Sequence, residues 1–133
     1  MIDYLQFEKG ERRRLKSRLK DFALRIIKLS RSLPDDLPGR TIGRQIIRSG
    51  TSPGANYRAA CLGKSERDFL NKLKMVEEEL DETLYWLELI VEAGLVKADL
   101  LDDLMKENQE LLKIIVSSIN TMKIKLRSKK NSS

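Results

Sequence analysis

A chain of 133 residues with 35% charged, 5% aromatic and only three Pro residues has the length of one domain and the composition of long amphipathic helices, and suits a β-sandwich poorly. It contains no histidine and one cysteine, Cys61, which excludes Ser-His-Asp and Cys-His catalysis, the Glu-x-x-His di-iron centre, an intramolecular disulfide and a cysteine zinc site. The net charge of +6 is unevenly spread: residues 1–33 hold ten Lys/Arg against four Asp/Glu, residues 34–64 five against two, residues 65–96 three against nine, and residues 97–133 eight against five. Such segregation favours a polyanionic partner, contact between oppositely charged faces of two copies, or both.

Residues 1–10 read as an N-terminal extension, residues 11–126 as the folded domain and 127–133 as a polar, basic, frayed tail. The opening MIDYLQFEKGERRR has no apolar run long enough for a signal peptide. Apolar runs elsewhere fall far short of the roughly 20 residues that span a bilayer. A soluble, cytoplasmic protein without a membrane partner is expected.

The first helix carries Leu15, Leu19, Phe22, Ile26, Leu29 and Leu33 at spacings of three and four, a stripe flanked by Ala23, Ile27 and Ser30. It ends before Pro34, since the residue preceding a proline is pushed out of the helical region. The second begins near Leu37-Pro38, with Ile42, Ile46, Ile47, Tyr57, Ala60 and Cys61 as its apolar positions. Gly50-Thr51-Ser52-Pro53-Gly54 interrupts it, and the expectation is one helix kinked at Pro53, with two separate helices as the alternative. A third starts at the cap Ser65, with Asp68 in the place of the capping-box acid. Its core stripe is Phe69, Leu73, Val76, Leu80, Leu84, Leu87 and Val91, ending at Gly94, and Glu77, Glu78 and Glu79 face mostly outward. The fourth has Leu101, Leu104, Leu111, Ile115, Ile119, Met122 and Leu126 inward. Asn108 interrupts that stripe and is read as an edge residue meeting water, or else as a buried register-setting one. Short connections between long helices favour antiparallel neighbours, so the predicted fold is an all-α, up-down-up-down four-helix bundle.

Little chemistry is on offer. Gly50 and Gly54 lack the Lys-Ser/Thr that completes a phosphate-binding loop. The three adjacent glutamates fan around their helix and cannot converge on one ion. Cys61 reads as a small core residue in preference to a reactive thiol. No catalytic residue, metal ligand or cofactor is assigned, and the chain is read as a non-enzyme.

Arginine offers more. Arg40, Arg44 and Arg48 recur every four residues, within about 80° of arc at 100° per residue, opposite Ile42 and Ile46. The first helix opens with Arg12, Arg13, Arg14 and Arg18, and Arg58 follows Tyr57. A guanidinium grips a phosphate with two parallel hydrogen bonds, so these eight arginines are the candidate contacts to an RNA or DNA backbone. The competing reading pairs them with carboxylates. Aromatic residues do not interleave with them apart from Tyr57, so backbone binding is expected and base stacking is unsupported.

The segment Gln45-Ile46-Ile47-Arg48-Ser49-Gly50-Thr51-Ser52-Pro53-Gly54-Ala55-Asn56-Tyr57-Arg58-Ala59-Ala60, with Lys64-Ser65-Glu66-Arg67-Asp68-Phe69 and Glu82-Thr83-Leu84-Tyr85-Trp86-Leu87-Glu88-Leu89, resembles a bacterial four-helix-bundle family. That family includes the proteins encoded in 23S rRNA intervening sequences and the accessory variability determinant of diversity-generating retroelements. The likeness spans about residues 15–120. It departs from the family pattern at Ala59, where members usually carry an acid. The resemblance implies a homo-oligomer, typically a pentameric ring with a central channel, and a basic surface suited to RNA or DNA. In the retroelement branch it also implies a reverse-transcriptase partner. The leading expectation is a non-catalytic nucleic-acid-binding accessory protein; the alternative is an oligomeric protein-interaction scaffold with no nucleic-acid ligand.

Overall fold

The computed structural model describes residues 4–131, with side chains from residue 8 onward, and the chain forms α1 (Tyr4–Ser32), α2 (Leu37–Cys61), α3 (Glu66–Glu92) and α4 (Ala98–Asn131). No strand occurs among the described residues. The fold is a helical bundle in which α1 packs on α2, α2 on α3 and α3 on α4, while α4 closes more loosely on α1. Neighbours meet in opposite senses. Leu33, Ile26 and Leu19 of α1 face Gly43, Gly50 and Gly54 of α2 in turn. Arg48 and Asn56 of α2 bond Glu82 and Glu79 of α3.

The helix ends follow local chemistry. Asp36 caps α2 by accepting from the Gly39 N–H at 2.9 Å, with Pro38 in the first turn where its missing N–H is harmless. Ser65 caps α3 by accepting from the Asp68 N–H at 3.0 Å. Asp68 itself turns away to Lys72, so only half of a capping box forms. Gly94 takes φ +69° after α3, and the Leu95 and Gly94 N–H groups donate to the carbonyls of Ile90 and Val91. This is the Schellman arrangement, and it turns the chain into α4.

Two boundaries differ from expectation. α1 already begins at Tyr4, within the stretch read as an extension, and α4 runs to Asn131 through most of the tail expected to fray. The reason at the C-terminus is electrostatic. Glu66 receives Lys125 at 3.2 Å and Lys129 at 2.8 Å, and these bonds, Lys129 first, hold its carboxyl below the usual range. Cations in the last turn also suit the helix dipole.

α2 runs unbroken through Pro53, so the two-helix alternative does not hold. Pro53 leaves the Ser49 carbonyl without its ordinary N–H donor. Just upstream, the hydroxyls of Thr51 and Ser52 donate back to the carbonyls of Ile47 and Arg48, each at 2.6 Å.

The stripes of α1 and α4 are buried as expected, except that Leu33 and Leu126 are half-buried. Along α3 the expected Leu73, Val76, Leu80 and Leu87 are fully buried, but Leu70, Thr83 and Ile90 join them in place of Phe69, Leu84 and Val91, which are half-buried at the edge. A helix held between two neighbours shows them a wide face, and packing decides which of two adjacent residues lies deepest. In α2, Ile47 is exposed and Cys61 is half-buried against the core.

Asn108 takes the buried alternative and not the helix-edge one: it is fully buried, and neither Nδ2 nor Oδ1 has a hydrogen-bond partner among the described residues. Counting along antiparallel α3 and α4 from Glu66 beside Lys125 puts Asn108 level with Thr83. Thr83 is satisfied, its oxygen 2.9 Å from the Ser49 hydroxyl and 2.8 Å from the Glu79 carbonyl. An orphaned buried polar group costs about 1–3 kcal/mol, whereas an apolar replacement of similar size carries no such penalty. Asn108→Leu should therefore stabilise the bundle by about 1–3 kcal/mol. Thermal unfolding checks this through a midpoint raised by several degrees; a lowered midpoint contradicts it.

Candidate nucleic-acid interface

The eight arginines do not form one surface. Arg40 pairs with Asp35 at 2.9 Å, and Arg48 with Glu82 at 2.8 Å while also touching Gln45. Arg44 between them is exposed and makes no ion pair with described residues. Two members of the predicted guanidinium stripe are thus already engaged by carboxylates of the same molecule. Both pairs are substantially exposed and correspondingly weak.

At the opposite end of α1, Arg14 pairs with Glu11 at 3.1 Å. Arg18 grips Glu107 with two bonds, Nε at 3.2 Å and a terminal nitrogen at 2.6 Å. That hydrogen bonding raises the Arg18 pKa against the effect of partial burial. The Arg12 guanidinium lies 4.5 Å from the centre of the Phe69 ring. Arg13 and Arg58 are exposed and make no ion pair with described residues.

Antiparallel packing gathers these last residues into something larger. The start of α1, the end of α2, the start of α3 and the end of α4 all lie at the same end of the bundle, where one depression is lined by Arg12, Cys61, Lys64, Phe69 and Lys125. Residues 8–20, 58–72 and 121–131 form this pole, and together they hold sixteen Lys/Arg against four Asp/Glu. The pole is therefore net +12 within a chain of net +6, and everything outside it is net −6. Glu107 and Glu110 reach Arg18 from beside the pole. Even so, its few carboxylates leave most of its cations unneutralised.

Sequence reading missed most of this surface. Arg12, Arg13, Arg14, Arg18 and Arg58 belong to it, whereas Arg40 and Arg44 lie at the other end and Arg48 lies along the side. Lys64, Arg67, Lys123, Lys125, Arg127, Lys129 and Lys130 were not singled out as contacts, being spread over two stretches distant from the first helix in sequence. The signal was available, since an antiparallel bundle puts both chain ends and the α2–α3 turn together, and all three are basic.

Packing also brings aromatic rings to the arginines. A cleft of about 280 Å³ opens between α1, α4 and the start of α3, with Tyr57, Phe69, Arg12, Arg14 and Arg18 among its walls. Tyr57 is 4% exposed; burial first, then the neighbouring Cys61 thiol, pushes its hydroxyl pKa up, so it stays protonated. Among the described residues no cluster of His, Cys, Asp and Glu could hold a metal ion, and no helix is long and apolar enough to cross a membrane.

A family model described as "23S rRNA-intervening sequence protein" matches residues 11–117. Among solved structures, the chain is similar to a protein of unknown function from the S23 ribosomal protein family of Bacteroides thetaiotaomicron. The two share 35% identity with a TM-score of 0.75, over 79% of this chain and 97% of that one. No curated protein matches.

Proposed function

This chain belongs to the 23S rRNA-intervening sequence protein family, and from that premise we propose that it is a non-catalytic accessory protein that binds the backbone of RNA or DNA through its basic pole. One observation carries the reading: the fold gathers sixteen cations and four carboxylates at one end of the bundle. A phosphate backbone is a line of single negative charges, and each contact releases a condensed counterion. The ligand is recognised by charge and spacing, not by base sequence. The protein acts as a homo-oligomer, which multiplies poles along one strand; a reverse transcriptase is a partner only in the retroelement branch of the resemblance.

Mobility-shift titration across salt concentrations tests this proposal. The logarithm of the affinity should fall linearly with the logarithm of salt, with a slope of about −0.7 to −0.9 for each phosphate contacted. An affinity indifferent to salt, or no binding at low salt, removes the proposal.

A protein-interaction scaffold is the second reading, and a different feature favours it. The outer face of α4 leaves Ile124 62% exposed beside half-buried Leu112 and Val116. On that reading the protein is purified free of nucleic acid, and its ultraviolet absorbance ratio is that of protein alone.

A further inference from the structure

We propose that the cleft between α1, α4 and the start of α3 takes the base of one unpaired nucleotide, stacked against the Arg12–Phe69 pair, while the strand's phosphates lie on the surrounding pole. This rests on the nucleic-acid reading above and adds to it a preference for single strands.

Four observations converge. The cleft volume of about 280 Å³ falls just below the range for ligand pockets, about 300–1,000 Å³, a size for one base and not for a duplex. Arg12 over Phe69 joins a planar cation to an aromatic ring, and guanidinium planes and aromatic faces are the two surfaces on which unstacked bases are held. The walls are close to charge balance, because Glu8 and Glu11 line the cleft with the arginines and Arg18 is held by Glu107. Such balance suits the mixed donors and acceptors of a base edge; phosphate is better placed outside, on the pole. Finally, Ser117 and Thr121 are exposed on one face of α4 at the cleft and make no hydrogen bond with described residues. Their hydroxyls are available to a sugar or base.

Two substitutions separate stacking from charge. Phe69→Leu removes the ring and keeps an apolar side chain; Arg12→Lys keeps the charge and removes the plane. The probes are a short single-stranded oligoadenylate and a mixed-sequence duplex, with circular dichroism confirming helicity. Each variant should weaken single-strand binding about tenfold, the scale of one lost base stack, and Phe69→Leu, which removes no charge, should leave duplex binding and the salt slope unchanged. Equal weakening of both probes, or single-strand binding that both variants leave intact, overturns the cleft while sparing the pole. Wild-type protein that binds neither probe removes the pole reading and the cleft with it. Should Phe69→Leu lose helicity, Arg12→Lys decides alone, since its side chain takes no part in the buried core.

Discussion

Replacing Arg13, Arg58, Lys123 and Arg127 together by Gln should weaken binding to RNA or DNA about a hundredfold or more at low salt, because four sites of counterion release are lost at once. All four residues are exposed, and none forms an ion pair with described residues, so their removal frees no carboxylate and opens no cavity. The salt slope should flatten by about 0.7–0.9 for each contact removed. Exchanging Arg40, Arg44 and Arg48 for Gln is the informative control. Asp35 and Glu82 already engage two of those guanidinium groups, and none of the three lies on the pole, so affinity should change by less than about threefold. Comparable losses in the two variants contradict the polar arrangement and restore the stripe on α2. Helicity and oligomer size, followed in parallel, show whether the lost affinity arises at the surface or from disassembly.

A large effect on stability is expected where Gly50 of α2 meets Ile26 of α1. A Cβ added at Gly50 would sit 2.8 Å from both γ-carbons of Ile26, a fully buried side chain branched at its own β-carbon. Mid-helix Gly→Ala ordinarily stabilises by up to about 1 kcal/mol. At Gly50 the sign should invert, with Ala destabilising by about 1–3 kcal/mol and Val by more. Gly43, on the same helix, supplies the contrast. Its nearest neighbour would be Leu33 Cδ1 at 3.5 Å, an ordinary contact. Gly43→Ala should therefore stabilise by about 0.5–1 kcal/mol. Denaturant unfolding of both variants measures this directly, and equal signs at the two positions would contradict the close approach.

How far the sequence revealed the fold can be read from individual residues. Leu15 to Leu29 and Leu101 to Met122 announce their buried faces because a single apolar stripe leaves no choice of side. Ser65 and Gly94 mark helix ends by chemistry that needs no neighbour. What stayed hidden depends on partners. Thr83 is buried because the Ser49 hydroxyl awaits it on another helix, and Asn108 is buried without any such partner, against every local preference. At the C-terminus, the tail looked frayed until Glu66, about sixty positions earlier, supplied the anchor.

The candidate site was less legible for the same reason. Regular four-residue spacing made Arg40, Arg44 and Arg48 conspicuous, yet nothing along the chain shows that Asp35 and Glu82 reach two of them. The cations that do cluster come from three stretches that only antiparallel packing brings together. Phe69 looked like a core residue, and its place beside Arg12 depends on how α1 lies against α3.

Covalent footprinting of lysines, with and without a short single-stranded RNA, tests the central claim most directly. Bound RNA should shield Lys9, Lys16, Lys64 and Lys123 at the basic pole and leave Lys28, Lys97 and Lys106 reactive. Shielding spread evenly over both sets, or confined to the second, would contradict it.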